Sequence, residues 1–187
     1  MTWEVSRAYQ KYMVQTFYAN IWLRMFIDRP RVRYDGVYIS VCQYTRTTNS
    51  FAPECLVTYY RYLRFFPNGA VLKYLSLEDP SKVVRLLVAN FPDKHAFYGW
   101  FDMHDDTVSV TMRERTRPRV QYRMMLQIKN SHKRRHYKLA WKEYSNETEG
   151  REGHEEFDLK AFKPYYFSLV RCYVPESPCW DDTCIRK

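Results

Sequence analysis

The sequence predicts a mainly β domain, an antiparallel meander closing into a barrel, accompanied by an N-terminal helix and one short helix. Three observations carry this expectation: an aromatic share of 18%, runs in which every second residue is apolar, and turn-forming residues between those runs. With 17 Tyr and 11 Phe against only 5 Gly, the composition favours strands over helices. At 187 residues the chain fits one domain with a single hydrophobic core.

The elements follow in order. Val5, Ala8, Tyr9, Tyr12, Met13 and Phe17 recur at helical spacing, Ile21, Trp22 and Met25 extend the pattern, and a helix is predicted over Glu4 to Phe26. Pro30 ends it, because proline disfavours helical geometry in the residue before it. From Arg31 onward the period becomes two. Val120, Tyr122, Met124, Leu126 and Ile128 alternate with polar residues and read as a half-buried strand. The same rule gives strands at Tyr137, Leu139 and Trp141, and at Phe157, Leu159 and Ala161. Pro67-Asn68-Gly69 separates the aromatic run Tyr59 to Phe66 from Ala70 to Leu77 and is the strongest hairpin signal. Asp105-Asp106 and Asn130 to Lys133 mark two more turns. Pro80 to Ala89 reads as the short helix lying on the sheet, and Asn146 to Glu156 as a mobile polar loop. About nine strands without regular strand-helix alternation imply a meander, and closure removes exposed edges. The expected organisation is a helical linker over 1–28, a barrel over 29–174 and a tail over 175–187.

Charge and motifs narrow the function classes. The 30 Lys and Arg against 21 Asp and Glu give a formal charge of +9, which attracts acidic partners. The basic residues are read as spread along the chain apart from Lys133 to His136, so a nucleic-acid partner is disfavoured. No run reaches the roughly 20 apolar residues a membrane span needs, and no membrane partner is expected. The five cysteines are Cys42, Cys55, Cys172, Cys179 and Cys184; without disulfide-scaffold density or a secretory signal they point to a cytoplasmic or nuclear setting. His132 and His136 have metal-ligand spacing but flank Lys133, Arg134 and Arg135, which repel a cation, so no metal is expected. His104-Asp105-Asp106 is better explained as a turn than as an acid-base cluster. No phosphate loop, nucleophile elbow or zinc-protease motif occurs; neither catalytic residues nor a cofactor are expected, and the protein is read as a non-enzyme. The strand Tyr59-Tyr60-Arg61-Tyr62-Leu63-Arg64-Phe65-Phe66 could stack single-stranded nucleic acid, but aromatic residues on both faces suit packing better, on the core and on the N-terminal helix.

Two blocks carry a resemblance. Trp22-Leu23-Arg24-Met25-Phe26 with Arg29-Pro30-Arg31-Val32-Arg33-Tyr34-Asp35-Gly36-Val37-Tyr38-Ile39-Ser40, and then Tyr59 to Gly69 with Leu77 and Pro80, resemble the C-terminal domain of the F-box only protein 9 family, fungal and plant relatives included. Weaker matches run through Tyr98-Gly99, Leu139 to Trp141 and Phe167 to Tyr173, so the resemblance spans roughly Ile21 to Val174. It implies the substrate-recognition domain of an adaptor in a cullin-based SCF ubiquitin ligase, with protein substrates as partners. Skp1 and cullin would be reached only through an F-box, a helical module of about forty residues that precedes the Trp22 block in this family and is absent from this chain. Two origins are open for the start of the chain: residues 1–28 as an F-box-proximal remnant, or Met1 to Asn20 as an unrelated start in a divergent or truncated gene product. Candidate binding residues are Arg29, Arg31, Arg33, Tyr60, Arg61, Tyr62 and Arg64; Trp22, Pro30, Gly36, Tyr38, Pro67, Asn68 and Gly69 belong to the structural motif.

Two other readings stay open. Gly36-Val37-Tyr38 near the start of an aromatic-rich barrel is lipocalin-like in outline and would suit a small-ligand carrier, if the barrel encloses an apolar volume. The alternative is a basic nucleic-acid-binding β domain, whose affinity would fall steeply with salt.

Overall fold

The computed structural model describes residues 3–46, 55–131, 134–150 and 153–174, with side chains from residue 7 onward. The chain divides into two compact units, 1–31 and 32–187. The tail 175–187, including Cys179 and Cys184, lies outside the described residues, as does His132.

In the first unit the single expected helix is two, α1 (Trp3–Phe17) and α2 (Trp22–Asp28). Ala19 and Asn20 take positive φ values of 50° and 61°, and the Asn20 N–H donates to the Val14 carbonyl at 3.0 Å. That is a left-handed helix stop, a conformation asparagine tolerates better than most residues. The apolar spacing continues past the stop, which is why periodicity alone joined the two helices. α2 ends before Pro30, with Arg29 in extended geometry.

The second unit contains nine strands among its described residues: β1 (Gly36–Arg46), β2 (Cys55–Phe65), β3 (Ala70–Ser76), β4 (Phe97–His104), β5 (Thr107–Glu114), β6 (Arg117–Ser131), β7 (Arg134–Thr148), β8 (His154–Glu156) and β9 (Tyr165–Leu169). Strands β1 to β7 pair in sequence order, and β9 returns between β1 and β7, so eight antiparallel strands form a closed barrel with β8 hanging on β7. The β1–β9 seam is tight. A Cβ on Gly36 would lie 2.1 Å from the Ser168 carbonyl oxygen, so only glycine permits this approach.

The Pro67-Asn68-Gly69 hairpin forms, though by a different turn from the one Asn-Gly suggests. Only Gly69 has positive φ, at 86°, and Phe66 N–H donates to the Ala70 carbonyl at 2.9 Å. This is a type I turn closed by a glycine bulge. Asp105, with φ 52°, similarly turns β4 into β5.

Three local expectations are corrected. Asn146 to Glu156 is not a loop throughout: β7 runs to Thr148 and pairs with β8. Phe157 to Ala161 is not a strand, because Asp158 accepts the Lys160 N–H at 3.0 Å and winds Leu159–Ala161 into a 3-10 turn. The short helix is α3 (Pro80–Val83), capped by Asp79 and continuing as a 3-10 turn over Val84–Leu86. No helix among the described residues is long and apolar enough to cross a membrane.

Alternation along β2 defines the two layers. Leu63 and Phe65 point into the barrel, where they cluster with Val71, Val110, Met124, Leu126 and Leu139. Tyr62 and Phe66 point outward and are covered by Val83, Leu87 and Phe91 from the segment after β3. The aromatic strand is thus double-sided because both its faces are buried.

Candidate functional site

The barrel interior has two chemically different ends. At one end Tyr38 is wholly buried, donates to the His136 carbonyl at 3.0 Å, accepts the Arg33 N–H at 3.1 Å and packs edge-on against Phe65 and Phe167. Arg33 forms a fork with Asp35, at 3.1 and 2.6 Å, and lies 3.8 Å over the Phe167 ring. Both blocks of the sequence motif therefore meet here, Gly36 and Tyr38 from the first and Phe65 from the second.

The opposite end is lined with charge. Lys73 occupies an inward position of β3 between Val71 and Leu75; it is buried, its Nζ donates to the Tyr144 hydroxyl at 2.8 Å and sits 4.5 Å from the Phe97 ring centre. Burial, then the neighbouring Arg61 cation, push its pKa down to about 7, against an opposing pull from Glu114. Glu114 is also inward on β5, with His95 Nδ1 at 3.2 Å and Arg117 Nε at 3.9 Å. Arg61 lies 4.1 Å over Phe162 and donates to the Tyr59 hydroxyl at 2.9 Å. Tyr165 is fully buried beside it, and burial drives its phenol well above the ordinary range. Tyr144, raised by burial in the same way, stacks on Phe157 with ring centres 4.3 Å apart.

A strap closes this end. Residues 157–163 carry Phe157, Leu159 and Phe162 onto the core. The Lys163 carbonyl accepts from Ser40 Oγ at 2.8 Å and from Trp141 Nε1 at 3.0 Å, and Trp141 packs on Phe162, Tyr144 and Tyr165.

The seven candidate binding residues separate. Arg29 and Arg31 belong to the first unit, where Arg31 lies 4.2 Å over Phe26. Arg33 is at the Tyr38 end. Arg61 alone reaches the charged end. Tyr60, Tyr62 and Arg64 face outward under the cover after β3: Arg64 is buried, donates to the Leu87 carbonyl and lies 3.4 Å over Tyr173, and Tyr62 donates to the Glu78 carbonyl at 3.2 Å. Burial removes the Tyr62 and Arg64 side chains from direct contact with a partner. Trp22, Pro67 and Asn68 are in α2 and the β2–β3 turn, with Trp22 about half exposed.

Reading the sequence missed Lys73, Glu114 and Tyr165. A lysine on the core face of an apolar strand was the visible signal for the first. It also missed an arginine-rich hairpin, since Arg113, Arg115, Arg117, Arg119 and Arg123 all lie exposed on β5–β6. A groove of about 670 Å³ runs beside it between β5, β6, β7 and the segment 153–159; Arg123, Lys142, Glu143, Glu147 and Glu156 line it together with the core residues Val110, Met124, Tyr144, Phe157 and Leu159. Arg123 is joined to Glu147 there at 3.1 Å. Among the described residues no group of three or more His, Cys, Asp or Glu could hold a metal. His104 and Asp105 sit together at the β4–β5 turn, both exposed to solvent.

A closed antiparallel barrel with an apolar interior, one motif-built end and one charged, strapped end is the class of domain defined by this geometry. Residues 11–157 match the family described as "F-box only protein C-terminal region", and the chain belongs to it. It is 30% identical over 176 residues to F-box protein HRT3 of Saccharomyces cerevisiae, covering 86% of this chain and 50% of that protein. It is 46% identical over 72 residues to F-box protein pof7 of Schizosaccharomyces pombe, covering 36% of this chain and 20% of that protein. The chain thus spans half or less of each of these relatives. No solved structure matches it significantly.

Proposed function

We propose that the barrel is the substrate-contacting part of an F-box-type adaptor of an SCF ubiquitin ligase, and that it holds protein targets without catalysing a reaction itself. The single observation that carries this reading is the match of residues 11–157 to the F-box only C-terminal region, together with relatives that are F-box proteins. The exposed arginines of β5–β6 and the charged residues of the groove beside them support a partner that is a macromolecule. A basic surface interrupted by Glu143, Glu147 and Glu156 weighs against nucleic acid, for which like charges in one continuous track would be expected. Free Cys42, Cys55 and Cys172 are compatible with a reducing cytoplasmic or nuclear setting.

In this reading Skp1 is bound by a separate helical F-box, and ubiquitin transfer depends on effective concentration, with both modules in one polypeptide. The test is a Skp1 pull-down with residues 1–187 and with the same residues carrying an F-box fused before Met1. The fusion is expected to retain Skp1 and the unfused chain to release it. Retention by the unfused chain at about micromolar affinity or better would place Skp1 docking on these residues and overturn the division of labour.

A further inference from the structure

Two polar atoms at the strapped end of the barrel are buried without a partner. Arg61 Nη1 and the Tyr165 hydroxyl both lack solvent contact and a hydrogen bond within the protein. Both groups border the same ring pair: Arg61 lies 4.1 Å over Phe162, whose ring centre is 5.2 Å from that of Trp141, and Trp141 is 5.4 Å from the Tyr165 ring. Arg61 also has no carboxylate partner among the described residues: it contacts the Tyr59 hydroxyl and the rings of Tyr59 and Phe162. Among the described residues Glu114 is the buried carboxylate, and it is engaged by His95 and Arg117. This end of the barrel therefore presents two basic side chains, Arg61 and Lys73, to one acid.

We propose that it is a receptor for a single carboxylate, held between the Arg61 guanidinium and the Tyr165 hydroxyl. A carboxylate has about four acceptor sites and takes hydrogen bonds from a guanidinium and a phenol at once. Its one negative charge supplies what Arg61 lacks. The surrounding rings of Tyr59, Trp141 and Phe162 suit an apolar stem behind the charge. A phosphate dianion fits less well, because Lys73 Nζ already donates to Tyr144 and few free donors remain. Entry requires Phe162 to leave the face of Arg61, which loosens the strap at the two bonds to the Lys163 carbonyl. The Trp141 indole N–H makes one of them and so reports binding. The site stands apart from the adaptor reading and does not depend on it. The carboxylate can come from a free organic acid or from the C-terminus of a polypeptide.

The experiment titrates the ¹⁵N-labelled full chain with phenylacetate, with a hexapeptide ending in phenylalanine as the free acid, and with the same peptide as the C-terminal amide. The Arg61 Nε–H and the Trp141 indole N–H are followed by NMR. Saturable shifts of both with either acid are expected, and which acid binds more tightly identifies the source. Arg61→Gln is expected to weaken binding by at least about tenfold, Tyr165→Phe by about threefold to tenfold, and Lys82→Gln, exposed on α3, to leave it unchanged. If Arg61→Gln does not fold, Tyr165→Phe, which keeps the ring, decides. The proposal is overturned by the absence of a saturable shift with either acid, by equal binding of the amide, or by undiminished binding in the variants at Arg61 and Tyr165.

Discussion

Replacing Lys73 with methionine is expected to remove a rise in stability with pH that the native domain shows from about pH 7 towards 10. In the folded chain burial lowers the Lys73 pKa to about 7, while the unfolded chain keeps the ordinary value near 10.5. Between these values the unfolded state holds the proton and the folded state does not, so unfolding takes up a proton and stability climbs with pH. The gradient is at most about 1.4 kcal/mol per pH unit, and a total gain of about 3 kcal/mol is expected before other groups intervene. Those groups are Tyr62, Tyr144 and Tyr165, whose phenols are raised by burial. Above pH 10 the unfolded chain ionises them while the folded chain cannot, and stability falls again. The charged and titratable groups facing Lys73 are Arg61, Glu114, Tyr122 and Tyr144. Methionine has a similar length and no charge to desolvate, so urea denaturation of the variant should give a nearly flat profile across the same window. A native profile as flat as the variant's would mean that Lys73 is solvated.

The second large effect concerns the strap. Trp141→Ala is expected to destabilise the domain by about 3 to 5 kcal/mol, because the indole supports three rings and its N–H holds the Lys163 carbonyl. Lys142→Ala should cost well under about 1 kcal/mol, although its Nζ donates to Thr107 Oγ1 at 2.9 Å, since that bond is exposed. The contrast tests the register as well as the packing. β7 pairs Trp141 with Leu126 but Glu143 with Met125, leaving Lys142 as the extra residue of a bulge. Equal, small losses at both positions, measured by thermal unfolding, would place the bulge elsewhere.

That bulge shows where the sequence stops being legible. Alternation identified the inward faces of β6 and of β7 up to Trp141, because a half-buried strand must put its apolar residues on one side. It could not foresee that the inward series continues at Tyr144 and not at Glu143, since a bulge shifts the phase without leaving a required residue type. The β2–β3 hairpin was readable because Gly69 is needed for its positive φ. The strap was not: Phe157, Leu159 and Ala161 alternate as a strand would, and only Asp158 hints at a cap. Closure of the barrel was expected on physical grounds, but the insertion of β9 between β1 and β7 depends on contacts far apart in the chain.

The candidate site was legible only in part, for a related reason. Arg61 was singled out by its place in an aromatic strand. Its neighbours Lys73, Glu114 and Tyr165 come from three other strands, and nothing local to each marks them as a group. Tyr62 and Arg64, one and three positions after Arg61, point through the opposite face of the sheet, since residues an odd number apart along a strand do so by geometry.

The adaptor reading is tested most directly by the half-lives of proteins that the barrel captures. Proteins photo-crosslinked in cells to residues 1–187 would first be identified, and their decay then followed after protein synthesis is blocked, with either the unfused chain or the F-box fusion expressed. The fusion is expected to shorten the half-lives of the captured proteins several-fold, the unfused chain is not, and inhibition of cullin ligases should restore them. Unchanged half-lives in cells where the fusion demonstrably binds Skp1 would contradict a substrate-recognition role for this domain.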